Sequence, residues 1–598
     1  MDGMAIGGLA PPFLGIERSV CGRLWRLRDA DAGLAAAISE RHGLSEIVGR
    51  LLAQRGVGID EAPGFLAPRL RDGLPDPAHL RDMDRAVARL LRAVQEAEPI
   101  VVFGDYDVDG ATSAALLLRF FASIGARVSL YVPDRMREGY GPNAPALLRL
   151  KADGAAVVVT VDCGATAHEP LAAAAEAGLD VIVVDHHVTE PRLPPAIAQI
   201  NPNRLDDDSP HGVLAAVGVA FLLAVALNRA LREAGWYRNR AEPDLLQWLD
   251  LVALGTVCDV VPLSGINRVL VSQGLRVMRR AANPGMQALA AVAGKTGPLD
   301  AYQLGFVLGP RVNAGGRVGA ADLGARLLST DDPALAAELA QRLDAYNRER
   351  REIEAQTLKA AIAQVETAPQ SPALVFAAAA GWHPGVIGIV AARLKDRYER
   401  PACVVALADG FGRGSGRSVP GVALGPAVIA ARQAGLLVNG GGHAMAAGFT
   451  VAEDRLDALR EFLVERLGDG LVQERLVPEL VIDAVLSVAG AQSGVIEHIA
   501  ALAPFGAANP EPRIAFPSVQ LAFVEPVGTG HLRCTFADPI GPAKLRAIAF
   551  RVAETPLGEF LAASRGRAIH VAGHLRHDDY RGGDAVQLVI DDAAPAGT

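Results

Sequence analysis

Short apolar runs alternate with helical stretches from about residue 100 onwards. Four of these runs, Ile100–Phe103, Val128–Val132, Val157–Val161 and Val181–Val184, have the length and β-branched composition of single strands. Mostly continuous apolar runs are typical of strands that are buried on both faces of a parallel sheet. The pattern over residues 96–330 therefore predicts an α/β domain in which helices connect parallel strands.

Two other regions have a helical or mixed texture. Leucine and alanine at helical spacing over residues 30–95 predict an N-terminal helical segment. Asp331-Asp332-Pro333 starts a helical pattern that persists to about Glu366, which is roughly 34 residues or about 50 Å. Such a helix favours a connection between two domains, and the alternative is a helix broken near Asn347. Strand-like and helical runs resume over residues 369–468, where they predict a second α/β domain.

From about residue 470 the chain changes to short strands separated by turns. Five or six such strands in about 120 residues are typical of a small barrel or sandwich. The predicted domains are 1–95, 96–330, 331–368, 369–468 and 469–598.

Composition excludes several classes of protein. Half of the 598 residues are hydrophobic, which excludes extensive disorder. The formal net charge of −9 argues against broad adhesion to nucleic acid, although it allows a local basic groove. Five cysteines without a Cys-x-x-Cys pair argue against a disulfide framework or zinc finger and fit a reducing cytoplasm.

Two apolar stretches have ordinary explanations. Met4–Ile16 follows no basic segment and contains Pro11-Pro12, so it is predicted to be a tail and not a signal peptide. Gly212–Leu227 is the longest uncharged run, but it is shorter than the ~20 residues that span a bilayer. It predicts a buried helix and no membrane association.

Acidic turns follow three of the predicted strands. They are Asp105-Tyr106-Asp107-Val108-Asp109-Gly110, Asp162-Cys163-Gly164 and Asp185-His186-His187. Residues just beyond the carboxyl ends of parallel strands line one crevice, so we expect these side chains to converge. Carboxylates that lie so near to one another repel and thereby raise one another's pKa. A divalent cation bound between them removes the repulsion. We therefore predict a metal site for hydrolysis, with oxygen and imidazole ligands that suit Mn²⁺ or Mg²⁺.

A fourth acid, Asp259, also follows an apolar segment. For any one of these aspartates, a helix cap or an Asx turn explains the residue equally well. For the whole set, a metal site is the better explanation.

These four segments, in this order, resemble the motifs of the DHH phosphoesterases. Within that superfamily the chain resembles the RecJ family over nearly its whole length. The metal ligands that the resemblance implies are Asp107, Asp162 and Asp259 for one cation and Asp109, Asp162 and His186 for a second. It also implies that Asp105, His187 and the bridging Asp162 are catalytic, and that two Mn²⁺ or Mg²⁺ ions are the cofactors.

Two further segments are predicted to bind substrate. Residues 133–141 contain Arg135 and Tyr140, and the resemblance favours a phosphate-binding loop over an ordinary surface loop. Residues 309–317 carry arginines on a flexible, glycine-containing backbone, and the resemblance assigns Arg311 and Asn313 to the substrate. Gly315 departs from the family, where alanine is usual.

The second α/β region resembles the DHH-associated domain, which binds substrate. It has a helix start after Gly381-Trp382-His383, a glycine-rich turn at 414–418 and a glycine-rich loop at 440–448. Free N–H groups at helix starts and in glycine-rich turns suit a phosphate. The predicted substrate-binding residues are His383, Ser415, Arg417, Gly441, Gly442 and His443.

The β-rich tail resembles the OB-fold of the same family, and OB-folds stack bases on aromatic side chains in a basic groove. The aromatic candidates are Phe523, Phe536, Phe550 and Tyr580, and the interleaved basic residues are Arg533, Lys544, Arg546, Arg551 and Arg576. Tyr580, in a polar turn, is the preferred one, because a phenylalanine on a strand more often belongs to the core.

The predicted function is a single-stranded-DNA-specific 5′→3′ exonuclease that releases 5′-mononucleotides in DNA repair and recombination. One alternative is a phosphoesterase for short oligonucleotides or cyclic dinucleotides, and another is a non-catalytic strand-binding subunit. The resemblance also implies a single-strand-binding protein and a helicase as partners of a cytoplasmic monomer.

Overall fold

A computed structural model of the chain describes residues 11–135, 137–280, 282–367, 371, 373–471, 478–578 and 584–597. The chain forms two compact units. We call residues 75–261 and 273–475 the sheet unit, and residues 1–74, 262–272 and 476–598 the barrel unit.

The N-terminal residues belong to the barrel unit. Their strand pairs in parallel with Glu479–Ile482, and Leu51 and Leu52 share a hydrophobic core with Phe516 and Phe536. The elements are β1 Leu24–Leu27, α1 Ala32–His42, α2 Glu46–Ala53, α3 Ala62–Leu66 and α4 Leu70–Gly73. Residues 75–95 pack in the sheet unit instead, so this division differs from the predicted segment 1–95.

The first sheet is parallel throughout, as predicted. Its strand order is β3-β2-β4-β5-β6. The elements are α5 Met83–Gln95, β2 Ile100–Gly104, α6 Val108–Ser123, β3 Val128–Tyr131, α7 Ala144–Ala152, β4 Val157–Val161, α8 His168–Glu176, β5 Asp180–Val184 and β6 Ala198–Ile200. Every residue of β2 and β4 is buried, which explains their uninterrupted apolar sequence.

Helices follow the first sheet. They are α9 Ala216–Glu233, α10 Leu249–Cys258, α11 Gly265–Met278, α12 Pro284–Val292, α13 Ala301–Gln303, a π-helical segment Leu304–Leu308, α14 Gly309–Val318 and α15 Leu323–Ser329. All of them belong to the sheet unit except α11, whose residues 265–272 belong to the barrel unit. The α9 helix is largely buried, and no helix among the described residues is long and apolar enough to cross a bilayer. Residues 309–317 form α14, so the prediction of a flexible backbone there is wrong.

A single helix, α16 Pro333–Thr367, leads into the second sheet without a break near Asn347. The elements that follow are β7 Val375–Ala380, α17 Ile387–Tyr398, β8 Ala402–Ala408, β9 Phe411–Arg417, α18 Leu424–Gln433, β10 Asn439–His443, β11 Ala446–Ala452 and α19 Leu456–Leu471. The strand order is β10-β11-β9-β8-β7, with only β7 and β8 parallel. The predicted glycine-rich turn therefore lies mostly on β9, and the predicted loop 440–448 lies on β10, β11 and the turn between them.

The C-terminal strands close into a barrel and not a sandwich. The elements are β12 Glu479–Ile482, β13 Ala484–Val485, α20 Ser493–Ala500, β14 Ile514–Val527, β15 His531–Ala537, β16 Lys544–Ala549, α21 Pro556–Ala563, β17 Ala568–His577 and β18 Val586–Pro595. The order β14-β15-β16-β18-β17 closes through β14 and β17. Register shifts in the long β14 allow it to bend around the barrel.

The aromatic candidates of the barrel fall into three groups. Phe536 is fully buried in the core, so its predicted exposure to a base is wrong. Phe523 and Phe550 are exposed and stay candidates. Tyr580 lies outside the described residues.

Candidate metal centre

The turn after β2 is shaped by a close backbone contact. Asp107 caps α6, because its Oδ1 accepts a hydrogen bond from the Gly110 N–H at 3.0 Å. A Cβ on Gly110 would lie 2.5 Å from the Asp105 carbonyl oxygen, so only glycine fits there. Asp105, Asp107 and Asp109 are thereby held within a single tight turn.

Asp109 is clamped by the start of another helix. Its two carboxylate oxygens accept hydrogen bonds from the N–H groups of Ala216 and Val217 at 2.6 and 2.9 Å, at the N-terminus of α9. A Cβ on Gly255 would lie 2.3 Å from Thr112 Oγ1 and 3.1 Å from Asp109 Oδ1. The glycine of α10 thus lets this helix approach the buried carboxylate.

Asp162, directly after β4, has a left-handed backbone with φ of 61°. Aspartate adopts this conformation more readily than most residues, and such strain is concentrated at functional sites. Its side chain is buried, and the Tyr140 hydroxyl donates a hydrogen bond to its carbonyl oxygen at 3.1 Å. The predicted Tyr140 therefore supports the turn that carries Asp162.

Asp185 orients the histidine motif. It accepts hydrogen bonds from the N–H groups of Ala165, His186 and His187 and from Nδ1 of His187, the last at 2.7 Å. Burial opposes ionisation of both side chains, but this hydrogen bond lowers the pKa of Asp185 and raises the pKa of His187 to about 9. Asp185 is therefore an ionised positioning group, a role that the sequence analysis did not assign to it.

His186 faces three carboxylates. Its Nε2 lies 3.4 Å from Asp162 Oδ1, 3.6 Å from Asp259 Oδ2 and 3.9 Å from Asp109 Oδ2. Burial and the neighbouring His187 lower the pKa of His186, which favours the neutral imidazole that binds metals. His186 is therefore suited to ligation by its Nε2 atom.

The clustered carboxylates are buried and repel one another. Burial, followed by repulsion from neighbouring aspartates, raises the pKa of Asp105, Asp109 and Asp162 well above the ordinary value and that of Asp259 to about 7. Asp105 Oδ1, Asp259 Oδ2 and His186 Nε2 are buried without a hydrogen-bond partner in the described structure. Bound cations would satisfy these atoms and remove the repulsion.

Three groups of side chains bring their ligand atoms within 4.8 Å of one another. The groups are Asp105, Asp107 and Asp162; Asp109, His186 and Asp259; and Asp162, His186 and His187. Every predicted metal ligand is in a group, and oxygen donors with one or two imidazoles fit Mn²⁺ or Mg²⁺. The three observed groups combine these residues differently from the two predicted ligand sets. Which residues bind which cation therefore stays a prediction.

Three arginines form a cluster, in which Arg135 and Arg317 face the aspartates and Arg417 lies next to Arg317. The Arg135 guanidinium packs over the Tyr106 ring at 4.7 Å, Arg317 donates to the Gly385 carbonyl at 3.1 Å, and Arg417 donates to Ser415 Oγ at 3.1 Å. Burial lowers the pKa of all three, and the charge of Arg317 lowers those of Arg135 and Arg417 further. Positive charges that repel one another in a partly buried place are suited to an anion such as phosphate.

The second sheet presents several predicted residues in one row. Gly441 on β10 lies opposite Gly448 on β11, which lies opposite Ser415 on β9, while Gly442 and His443 follow on β10. A Cβ on Gly388, in the first turn of α17, would lie 3.0 Å from Ser415 Oγ and 3.1 Å from Arg417 Nη2. The start of α17 thus meets Ser415 and Arg417, two of the predicted substrate-binding residues.

His383 has a defined tautomer. Its Nδ1 accepts a hydrogen bond from the Gly385 N–H at 3.0 Å. In the neutral ring the proton is therefore on Nε2, which can donate to a substrate oxygen.

Arg311 and Asn313 are not brought into the arginine cluster. Arg311 pairs with Asp344 of α16 at 2.9 Å and donates to the Val307 carbonyl, while Asn313 Oδ1 is buried without a partner in the described structure. Their role in substrate binding stays a prediction. Arg317, the second arginine of the same motif, is not among the predicted substrate-binding residues, although its place at the end of the motif is a signal for it.

Three family models match the chain. The DHH family, N-terminal domain, matches residues 99–256, the DHHA1 domain matches residues 370–469, and the RecJ OB domain matches residues 482–592. The first two ranges contain the two sheets, and the third covers the barrel except for the last residues of β18.

Curated relatives and a solved structure are similar over most of the chain. The single-stranded-DNA-specific exonuclease RecJ of Dickeya dadantii is 40% identical over 567 residues, which are 92% of this chain and 96% of the relative. The Escherichia coli protein of that name is 37% identical over 92% of this chain and 96% of the relative. The crystal structure of RecJ from Thermus thermophilus with Mn²⁺ has a TM-score of 0.80 and 29% identity, covering 96% of this chain and 80% of that chain. The chain therefore belongs to the RecJ family of the DHH superfamily.

Proposed function

We propose that this protein is a metal-dependent exonuclease specific for single-stranded DNA. The observation that carries the proposal is the buried cluster of aspartates and histidines, which faces Arg135 and Arg317 within one compact unit, with Arg417 next to Arg317. The relatives at 34–40% identity over most of the chain are named for that activity.

The acidic cluster would hold two divalent cations, Mn²⁺ or Mg²⁺, through the aspartates and His186. When bound, such cations stabilise the attacking and leaving oxygens of a phosphodiester and lower the pKa of water. Solved structures of the family contain Mn²⁺ or Mg²⁺.

His187 is oriented by Asp185. Its Nδ1–H donates to Asp185 Oδ1 at 2.7 Å, and this hydrogen bond raises the pKa of His187. When the ring is protonated, the Nε2–H remains as a donor for a phosphate oxygen of the substrate. Asp185 keeps the ring in this orientation throughout the reaction.

The arginines supply recognition of a chain end. Arg417 and Ser415 meet the start of α17, and Arg135 and Arg317 lie on the side of the aspartates. A terminal phosphate bound by these groups would place the first phosphodiester next to the metal centre. We infer that this phosphate is the 5′-phosphate, which makes the enzyme a 5′→3′ exonuclease that releases 5′-mononucleotides.

An end-labelled DNA assay tests the activity and its polarity. A single strand of about 30 nucleotides, long enough to fill several binding sites of an OB-fold, is labelled at the 3′ end and incubated with the protein and Mn²⁺. A ladder that shortens from the 5′ end and the release of mononucleotides are expected, with little cleavage of a blunt duplex. Trimming from the 3′ end would refute the proposed polarity. If the protein cleaved a dinucleotide efficiently but not the long strand, the alternative of a phosphoesterase for short oligonucleotides would be favoured.

The family relationship also supports a proposal for the biological setting. We propose DNA repair and recombination in the cytoplasm, with a single-strand-binding protein and a helicase as partners of a monomeric enzyme. Five free cysteines agree with a reducing compartment. Co-purification of tagged protein from growing cells tests the partners.

A further inference from the structure

Two aromatic side chains are unusually exposed on the helical stretch that runs from Ala301 to Val318. Tyr302 is 56% exposed and Phe306 is 72% exposed. Their rings are stacked, with centroids 4.9 Å apart and planes inclined by 29°. Large aromatic groups usually bury most of their surface, so two adjacent ones in water point to a binding role.

The stretch packs against the end of α10 that carries Asp259. The Cys258 thiol donates to the Leu304 carbonyl at 3.4 Å, and a Cβ on Gly309 would lie 2.5 Å from Cys258 Sγ. Phe306 lies between these two contacts, within the π-helical segment Leu304–Leu308. Single turns of π-helix occur frequently at functional sites. The exposed rings are therefore attached to the wall of the metal centre.

The other end of the same stretch carries Arg317, which belongs to the arginine cluster described above. Phe306 and Arg317 are about eleven positions apart, which is about 16 Å along a helix. At the 3.4 Å rise of a stacked strand this span corresponds to about five nucleotides, and to fewer if the strand is stretched. A dinucleotide held at the arginines is too short to reach the aromatic pair.

A helix-stabilising role alone explains the pair poorly. An aromatic contact between residues four apart stabilises a helix by only about 0.2–0.5 kcal/mol. Such a contact does not require that both rings remain largely in water. By contrast, an exposed aromatic face binds any base, and therefore binds single strands without regard to sequence.

We propose that Tyr302 and Phe306 form a base-stacking platform for the single strand, at about the third to fifth nucleotide from the end held by the arginines. The proposal rests on the proposed function, because it assumes a single-stranded substrate in the metal centre. Stacking at this position would hold a strand after each cleavage and would favour long substrates over short ones.

Binding and cleavage by Phe306→Ala test the platform. Phe306→Ala is expected to weaken binding of a strand of about 12 nucleotides about tenfold, the loss typical of one base–aromatic contact. Binding is measured by fluorescence anisotropy in an Asp162→Asn background, and KM is measured in the cleaving enzyme. Phe306→Trp is expected to restore both the binding affinity and KM. The matched control is Phe411→Ala, at a phenylalanine on β9 that is 49% exposed, and it should change neither quantity.

Substrate length and abasic sites separate the platform from other effects. The weakening should vanish for a dinucleotide, and an abasic site at about the third to fifth position should weaken binding to the parent protein but not to Phe306→Ala. If Phe306→Ala lost the same binding affinity for long and short substrates, or lost none for either, the proposed platform would be wrong. The proposed exonuclease activity would be unaffected by that result. If the parent protein cleaves no single strand at all, the proposed function itself fails.

Discussion

The carboxylates around the metal centre differ in how their oxygens are satisfied. Both oxygens of Asp185 accept hydrogen bonds from backbone N–H groups, and one also accepts from His187. Asp105 and Asp259 each keep a buried oxygen without a partner in the described structure. Since a buried carboxylate oxygen without a partner is costly, these two are suited to a cation and Asp185 to orienting a histidine.

Asp162 belongs to two of the three ligand groups, so we expect Asp162→Asn to abolish cleavage. Asparagine preserves the size of the side chain and tolerates the left-handed backbone, but it lacks the negative charge. Mutation of a residue that only hydrogen-bonds a metal-binding side chain typically costs about ten- to a hundredfold in activity. Loss of a metal-binding side chain itself should therefore lower the cleavage rate by more than about a hundredfold. Strand binding, measured by anisotropy, should stay within a few-fold of the parent protein.

The exposed Asp153, at the end of α7, offers a matched control. Asp153→Asn makes the same chemical change outside the cluster and should retain full activity. Substantial turnover by Asp162→Asn would contradict its place among the ligands.

Arg317 and Arg311 lie on one helix but make different contacts, which allows a direct comparison. We expect Arg317→Gln to raise KM for a 5′-phosphorylated strand by about ten- to a hundredfold, because a charge-assisted hydrogen bond contributes about 1.5–3 kcal/mol. Arg311→Gln should instead lower the melting temperature, since it removes the 2.9 Å pair with Asp344 and leaves that carboxylate only Arg348, at 3.5 Å. Steady-state kinetics with phosphorylated and unphosphorylated strands measure the difference. The reverse result would restore Arg311 as the substrate ligand.

At the scale of elements, glycine misled the prediction for the second sheet. Glycine normally weakens a strand, so runs such as Gly412–Gly416 indicate turns. In β9, however, a Cβ on Gly414 would lie 2.1 Å from the Phe449 ring of the neighbouring strand. The absence of side chains lets a core aromatic pack directly on the backbone, and the strand pairs in spite of its composition.

Strands β17 and β18 of the barrel contain a pH-sensitive ion pair. His574 Nε2 lies 3.0 Å from Asp591, and its Nδ1 lies 3.0 Å from the Pro512 carbonyl, so both nitrogens face acceptors. Burial alone would lower the pKa of His574 and raise that of Asp591. The pairing reverses both shifts, raising the pKa of His574 and, together with Arg513, lowering that of Asp591.

The stability from this pair should be lost at higher pH. Because the pKa of His574 is raised in the folded state, the stabilisation from its charge is fully present below about pH 6.5. It is lost as the pH rises through the folded-state pKa of His574. The charge of Asp591 stabilises the fold above about pH 4. The free energy of unfolding should therefore differ between the parent protein and His574→Gln by about 1–2 kcal/mol near pH 5.5 and by less at pH 9. Trp25 fluorescence in the barrel unit, with the other three tryptophans replaced by phenylalanine, reports the transition. A difference that is constant with pH would contradict the ionised pair.

At the scale of the whole molecule, residues distant in sequence form the compact units. Leu24–Leu27 pairs with Glu479–Ile482, and helices from residues 32–66 complete the core of a barrel that begins after residue 478. Local patterns identify these helices but carry no information about what covers their apolar face. The boundaries of the units were therefore the least predictable feature of the fold.

Metal binding should stabilise the sheet unit as a whole. An ion that binds only the folded state raises the free energy of unfolding by about 2.7 kcal/mol when its concentration is 100 times its Kd. We therefore expect Mn²⁺ to raise the melting temperature of the metal-free protein by several degrees, measured by calorimetry. Asp162→Asn should reduce the shift, and buffer with chelator and no added divalent cation is the baseline. An equal shift in both proteins would place the cation elsewhere.

The sequence by itself determined most strands of the first sheet, the long helix, the family and the presence of a metal centre, because periodicity and clustered acidic motifs are local properties. Asp105, Asp107, Asp109, Asp162 and His186 could all be named from such motifs. Only the tertiary structure decided that Arg317 and not Arg311 approaches the aspartates, that Asp185 orients His187, and that Tyr302 and Phe306 remain in water. These properties depend on which distant side chains pack around each residue, and packing is decided by the whole fold.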